Sequence, residues 1–177
     1  MCIRDSTNNS EGILYATLIL SGQPTIGEET AASEDLNMEV QYLSLNGESI
    51  NPDRIPQGTD FVAQVTITNP GIRGISYDEM ALTQVFPSGW EIMNTRMTNI
   101  ERFQDANTPE YQDIRDDRVH TYFDIGRKKK QTYVVQLNAA YQGKYYLPGV
   151  SCSAMYDNTI YARKPGQWVE VVSPVGI

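Results

Sequence analysis

Apolar and polar side chains alternate along most of this chain, which is the period of a β-strand with one buried face. The clearest example is residues 61–68, where Phe61, Ala63, Val65 and Ile67 are predicted to face the core. No stretch of the sequence sustains the period of a helix. Turn signals separate about seven such short strands, so the sequence predicts an all-β fold. We expect a β-sandwich of the fibronectin or immunoglobulin-like type, without a disulfide.

The other predicted strands lie between turns rich in glycine, proline and asparagine. Asn46-Gly47 closes one of them, and this pair favours a hairpin because both residues tolerate positive φ. The basic run at residues 126–130 is expected to form another hairpin tip, whose charges discourage pairing between sheet edges. Residues 98–112 are expected to form a long loop. Beyond residues 61–68, the predicted strands are residues 38–45, 80–86, 119–125, 133–139, 145–155 and 168–172.

Composition changes near the start of the chain predict a domain boundary. Residues 1–10 match neither a secretory signal nor a strand, and we treat them as a non-native or disordered tail. Residues 11–24 contain a strand that is apolar on both faces. The polar, acidic residues 25–35 lack periodicity and are predicted to be a linker. The sandwich domain is therefore expected to span residues 36–174.

The net charge excludes two classes of partner. The chain has a formal charge of −8 and a pI of about 4.6. A nucleic-acid-binding protein needs a basic face to replace counterions, and an anionic membrane surface makes a similar demand. No apolar run approaches the roughly 18 residues that a membrane-spanning helix requires. We therefore expect no nucleic-acid partner and no direct membrane contact.

Few residues offer catalytic chemistry. His120 is the only histidine, is predicted to face outward, and has no nucleophile and acid at the spacing of a catalytic triad. It also lacks a second soft ligand for a metal. Cys152 lies in a predicted strand without a basic partner, so we expect a small buried side chain, and Cys2 falls in the excluded tail. These observations predict no enzyme activity, no cofactor and no metal site.

A dense charge cluster precedes one of the predicted strands. It comprises Asp113, Arg115, Asp116, Asp117 and Arg118. Three carboxylates suggest a calcium site, but the D-x-D-x-D-G pattern is missing and arginines interrupt the cluster. Arginine pairs well with carboxylates in a two-pronged geometry. We therefore predict a structural ion-pair cluster that orders the entry to the strand.

Met155 and Tyr156 follow a predicted strand and precede a turn-prone Asp-Asn pair. Presented at a strand end, these two side chains would make a compact apolar lid with one polar tip. The alternative is ordinary packing of both side chains in the core. The residues alone leave these two interpretations open.

Several short motifs resemble one known domain. They are residues 87–92 (PSGWEI), 111–119 (YQDIRDDRV), 141–143 (YQG), 146–150 (YLPGV) and 154–157 (AMYD). Together they resemble the C-terminal MG10 domain of bacterial alpha-2-macroglobulins. Residues 14–24 look like the last strand of the CUB-like domain that precedes MG10 in that family. The resemblance covers residues 11–173, nearly the whole chain.

The resemblance implies a non-enzymatic role in a large protease trap. The parent would be a periplasmic or cell-envelope protein, such as an inner-membrane lipoprotein, whose bait region is cleaved by target proteases. In members with a reactive thioester, that bond then captures the protease. MG10 packs on the thioester domain of the same chain, and a Met-Tyr pair helps to shield the thioester from water. The matching residues here are Met155 and Tyr156.

The thioester motif Cys-x-Glu-Gln does not occur in this sequence. The chain alone therefore cannot trap a protease, and its partners would be neighbouring domains of the parent. The alternative is a stand-alone envelope or adhesin-type β-sandwich interaction module, which would explain the acidic sandwich equally well. A hydrolase is the third class, and it would need partners that His120 lacks.

Overall fold

The computed structural model describes residues 25–93 and 106–174, together with residues 7, 9, 11–13, 15, 17 and 22. These residues form thirteen β-strands, and none of them belongs to a helix that could cross a membrane. The strands are β1 (Ala32–Glu34), β2 (Asn37–Ser44), β3 (Arg54–Pro56), β4 (Asp60–Thr68), β5 (Tyr77–Val85), β6 (Trp90–Ile92), β7 (Tyr111–Ile114), β8 (Arg118–Ile125), β9 (Lys130–Ala139), β10 (Gly143–Leu147), β11 (Val150–Ala154), β12 (Tyr161–Lys164) and β13 (Gln167–Val172).

The strands form three sheets. The largest has the order β1-β12-β11-β5-β8-β7, the second has the order β2-β4-β9-β6, and the third has the order β10-β13-β3. All the strand pairs are antiparallel except β13 and β3, which run parallel. The all-β prediction is confirmed. The expected number of strands, about seven, is wrong because short strands such as β3 carry too few residues to show an alternation.

Two apolar clusters lie between the sheets. In β4, Phe61, Ala63, Val65 and Ile67 are buried, which confirms the predicted inward face. Val65 and Ile67 pack in one cluster with residues of the six-stranded sheet, such as Leu82. Phe61 and Ala63 belong to a second cluster that also contains residues of the three-stranded sheet. The alternation along one strand therefore supplies both halves of the core.

The basic run at residues 126–130 does not form a hairpin tip. β8 pairs with β5 and β7, whereas β9 pairs with β4 and β6. The turn that contains Gly126 and Lys129 carries the chain from one sheet to the other, closed by a hydrogen bond of 3.1 Å between these residues. The hairpin prediction was wrong because the alternation identifies strands but not their partners.

The predicted strand at residues 145–155 is divided in two. Pro148 and Gly149 separate β10, in the three-stranded sheet, from β11, in the six-stranded sheet. The expected bend is thus a change of sheet. Proline lacks the amide hydrogen that a continuous ladder needs, which favours a break at this point.

The start of the sandwich lies further upstream than residue 36. The predicted linker, residues 25–35, ends in β1, which pairs with β12 at the edge of the six-stranded sheet. Most of residues 1–24, predicted as a tail and a strand of a preceding domain, lie outside the described residues. The same holds for residues 98–105 of the predicted loop. The loop prediction ends too late, since β7 begins at Tyr111.

Candidate functional site

Met155 and Tyr156 are exposed at the end of the six-stranded sheet. They begin the 155–160 loop, which joins β11 to β12. Met155 is 51% exposed and Tyr156 is 85% exposed. The alternative of core packing for this pair is therefore wrong. Large apolar side chains exposed together at a strand end are typical of a contact surface.

Hydrogen bonds hold the backbone of the 155–160 loop at both ends. The amide of Ala154 donates to the carbonyl of Ile160 at 3.0 Å, which closes the loop on itself. The amide of Ile160 donates to the carbonyl of Asp157 at 3.1 Å. Ala154 and Ile160 are buried in the core cluster. The exposed pair therefore stands on a loop whose two ends are anchored in the core.

A β-bulge supports the loop from the neighbouring strand. The amide of Met155 donates to the carbonyl of Glu79 in β5 at 2.9 Å. Glu79 has a φ of 54°, and the pairing of β5 with β8 shifts register between Tyr77 and Met80. The amide of Glu79 in turn donates to Oδ1 of Asp124 at 2.8 Å. Met155 and Glu79 continue the register in which β11 pairs with β5, so this bond extends that ladder into the loop. The bulge lies on the other side of β5, in its pairing with β8.

Both carboxylate oxygens of Asp157 are engaged, one inside the loop and one by a residue outside it. Its Oδ1 accepts hydrogen bonds from the amide of Thr159 at 3.0 Å and from Oγ1 of Thr159 at 2.6 Å. Its Oδ2 lies 2.8 Å from Nη1 of Arg73. The bonds from Thr159 and then the charge of Arg73 lower the pKa of Asp157 below its ordinary value. The turn after Tyr156 is therefore held by a charged side chain on another loop.

Arg73 connects three segments of the chain. Besides Asp157, it donates from Nε to Oδ2 of Asp35 at 2.5 Å and from Nη2 to Oγ1 of Thr159 at 2.6 Å. Its side chain is 28% exposed, so water competes only partly for these contacts. The hydrogen bond to Asp35 is the main reason that the pKa of Arg73 is raised. Sequence reasoning missed Arg73 because its partners are 38 and 84 residues away.

The loop that carries Arg73 is ordered by a buried asparagine. Asn69 donates from Nδ2 to the carbonyl of Ile75 at 3.0 Å, and its Oδ1 accepts from the amide of Gly71 at 2.8 Å. Ile72 and Ile75 of this loop are both exposed. The contact between Arg73 and Asp157 thus joins two loops that each carry exposed apolar side chains.

The predicted charge cluster forms the turn between β7 and β8. Arg115 lies 2.9 Å from Asp113, and Arg118 lies 2.6 Å from Asp117. The amide of Arg115 also donates to the carbonyl of Arg118 at 2.9 Å, which closes the hairpin. Among the residues that the structure describes, Asp116 makes no ion pair. The arrangement is two separate exposed pairs at a hairpin turn, which contribute little to stability.

The charge cluster and the exposed pair lie at opposite ends of the sandwich. Arg118 pairs with Val85 at one end of β5, whereas Met155 bonds Glu79 near the other end. Six residues of extended strand separate these points, which is about 20 Å. The charge cluster therefore has no direct contact with the site.

The described residues offer no catalytic or metal centre. His120 is partly buried on β8, and its Nδ1 lies 3.1 Å from Oγ1 of Thr83. Cys152 is buried, and burial raises the pKa of its thiol to about 12. Across the described ranges, no group of three His, Cys, Asp or Glu side chains is placed to hold a metal ion. Cys2 lies outside those ranges.

Comparison with known proteins identifies the family of this domain. Residues 36–158 match the model of the Bacterial Alpha-2-macroglobulin MG10 domain. The chain is 26% identical over 163 residues to an alpha-2-macroglobulin of Rickettsia conorii, covering 90% of this chain and 8% of that protein.

Solved structures show the same fold. The chain resembles native Escherichia coli alpha-2-macroglobulin from MG7 to the C-terminus, with a TM-score of 0.74, 19% identity, and coverage of 86% of this chain and 25% of that one. Salmonella alpha-2-macroglobulin reacted with methylamine matches with a TM-score of 0.73 and 21% identity, covering 86% of this chain and 10% of the other.

The chain therefore spans a small part of each relative that it matches. The family match covers more than half of the chain, from residue 36 to the loop with Met155 and Tyr156. The chain belongs to the bacterial alpha-2-macroglobulin family and contains the MG10 domain of that family.

Proposed function

We propose that this chain is the C-terminal part of a bacterial alpha-2-macroglobulin protease trap, in which Met155 and Tyr156 cover the thioester of a neighbouring domain. The exposure of both side chains on an anchored loop is the observation that carries the proposal. The parent would inhibit target proteases, and this domain would contribute to inhibition without being an enzyme. Its direct partners would be the thioester domain and other domains of the same parent.

The physical argument is exclusion of water. A thioester is hydrolysed slowly by water and attacked faster by small amines, so it survives only where such molecules are kept away. Thioether and aromatic side chains displace water without offering a nucleophile of their own. Burying a methionine side chain against a partner contributes about 1.5–3 kcal/mol, which would favour the covered state.

The cover would be removable. Met155 and Tyr156 lie on one short loop, so a movement of this domain relative to the thioester domain would withdraw both together. Cleavage of a bait region elsewhere in the parent would supply that movement. The sequence contains no Cys-x-Glu-Gln motif, so the reactive bond would belong to another part of the parent.

We also propose that the parent resides in the periplasm or on the cell envelope. The family supports this placement, since a trap must meet foreign proteases before they reach the cytoplasm. Fractionation of the source bacterium with an antibody against this domain checks the placement. Recovery of the parent in the cytoplasmic fraction would contradict it.

The shielding test uses the full parent protein. Met155→Ala and Tyr156→Ala, alone and together, are expected to raise the rate at which methylamine consumes the thioester, measured by the thiol that is released. Tyr111→Ala is a matched control, because Tyr111 is also exposed but lies on the edge strand β7, three strands away from β11.

The outcomes separate the alternatives. Faster thiol release in the Met155 and Tyr156 variants, with the Tyr111 variant unchanged, supports shielding. An unchanged rate in the two single variants at Met155 and Tyr156 and in the double variant would contradict the shielding role. A short parent in which this sandwich stands alone behind its own signal peptide would instead favour an interaction module.

A further inference from the structure

We propose that Arg73 is a positioning residue, which holds the 155–160 loop in the conformation that presents Met155 and Tyr156 to the partner domain. This inference rests on the proposed function. The side-chain hydrogen bonds of Arg73 go to other residues. Arg73 acts through Asp157 and Thr159, which follow the exposed pair in the loop.

Among the described residues, Arg73 is the only one that makes an ion pair with this loop. Backbone bonds from Ala154, Met155 and Ile160 anchor the two ends of the loop. Within the part of the chain that the structure describes, the turn after Tyr156 has no backbone hydrogen bond to another strand. The guanidinium of Arg73 holds this turn through hydrogen bonds of 2.8 Å to Asp157 and 2.6 Å to Thr159. A planar five-donor group can hold both oxygens at fixed angles.

Arg73 is itself held in place by contacts outside the 155–160 loop. Nε of Arg73 donates to Asp35, which precedes β2 and bridges Tyr161 at the start of β12. Asn69 orders the backbone on both sides of Arg73 in sequence, through its bonds to Gly71 and Ile75. The arginine therefore reaches the loop from a rigid base, so losing it should free the loop and leave the base in place.

The positions of Arg73 and Asp157 also explain why loss of their contact would affect shielding without unfolding the domain. The core clusters contain neither Arg73 nor Asp157. Both side chains are partly exposed, so their removal opens no cavity. A loop can open locally at a free-energy cost far below that of global unfolding.

The first experiment measures amide hydrogen exchange in this chain. Arg73→Met, which keeps the length of the side chain and removes its charge, should speed exchange at the amides of Met155 and Ile160 roughly tenfold, the scale of one lost charge-assisted hydrogen bond. Exchange at Val65, in the core of β4, should stay the same. Arg118→Met is the matched control, because it breaks the exposed ion pair between Arg118 and Asp117, which lies about 20 Å from the 155–160 loop.

Two further variants separate positioning from a general structural role. Arg73→Lys keeps the charge but cannot hold Asp35, Asp157 and Thr159 together, so it should give intermediate exchange. Asp157→Asn should speed exchange alone, and adding it to Arg73→Met should speed it little further, because both changes break the same contact. Equal acceleration at Val65 would mean global destabilisation and would overturn the proposal.

The second experiment tests whether the contacts of Arg73 contribute to shielding in the full parent. Arg73→Met should raise the rate of methylamine consumption several-fold, and Arg73→Lys should raise it less. If the Met155 and Tyr156 variants accelerate the reaction but Arg73→Met does not, the positioning role fails and the proposed function stands. If none of them accelerates it, or the parent carries no thioester, both fail.

Discussion

The amide of Met155 donates a hydrogen bond to the carbonyl of Glu79 at 2.9 Å, and Glu79 has a left-handed backbone with a φ of 54°. The loop with the exposed pair is thus attached to the irregular position of β5. A non-glycine residue in this conformation costs roughly 1–2 kcal/mol. The bulge persists because the bonds on both sides of it hold it in place.

Glu79 therefore offers a test of the bulge. Glu79→Gly should be more stable than Glu79→Ala by about 1 kcal/mol, because glycine adopts positive φ without the penalty that alanine carries. Urea denaturation gives the two free energies of unfolding. At Thr83, in the regular part of the same strand, the order should reverse, with glycine less stable than alanine by roughly 0.5–1 kcal/mol. The same order at both positions would contradict the bulge.

Truncation to alanine should affect the stability of the chain very differently at two methionines. Met155→Ala should change the free energy of unfolding of this chain by less than about 0.5 kcal/mol, because its side chain is largely exposed. Met80→Ala should cost about 2–5 kcal/mol, because Met80 is fully buried in the core and would leave a cavity. Thermal or urea unfolding checks both. A large loss for Met155→Ala would show that the side chain packs within this chain.

The bend between β10 and β11 requires a glycine. A Cβ atom at Gly149 would lie well inside van der Waals contact with the carbonyl oxygen of Lys164 at the end of β12. Gly149→Ala should therefore destabilise the chain by about 1–3 kcal/mol, measured by urea denaturation. Gly126→Ala is the control, because its Cβ would meet only the flexible side chain of Lys129. Equal stability of the two variants would refute the close approach at Gly149.

The buried thiol should make stability fall at alkaline pH. Burial raises the pKa of Cys152 to about 12, so the folded state keeps its proton while the unfolded thiol ionises near pH 8.5. Its contribution is complete below pH 8.5 and is lost as pH rises toward 12, with about 2 kcal/mol gone by pH 10. Stability measured from pH 8 to 10 in a Cys2→Ser background checks this.

The matched variant for that titration is Cys152→Ala, also with Cys2→Ser. It should lose less stability than the Cys152 chain between pH 8 and 10. Tyr42 and Tyr133 also have pKa values raised by burial, so both chains should lose further stability above pH 10. Parallel curves from pH 8 to 10 would mean that the thiol is hydrated in the folded chain.

The alternation in β4 shows where sequence reasoning succeeds. The predicted inner and outer residues from Phe61 to Thr68 lie on the expected sides, because burial on one face of a strand requires a period of two. Val62 is the exception to the alternation, since it is buried on the other face. The same reasoning found β8 and β9 but joined them into a hairpin. Their facing residues satisfy the same pattern whether the two strands pair with each other or lie in different sheets.

The candidate site was likewise only partly predictable from the sequence. Met155 and Tyr156 were found from their place in a short motif, yet the sequence could not distinguish a lid from core packing. The exposure of both side chains excludes packing in the core. Arg73 carried no local signal at all, since an arginine in a polar loop is ordinary and its partner Asp157 is 84 residues away.

The sequence by itself determined that the chain is all-β, which residues line the core of its longer strands, and which family its short motifs resemble. These are local properties, set by the two-residue period and by the order of a few side chains. Only the tertiary structure decided which strands pair, where the chain changes sheet, and that Arg73 meets Asp157 in the loop that carries Met155 and Tyr156. Those contacts join residues far apart in sequence, and they form only when the packing of the two sheets brings the loops together.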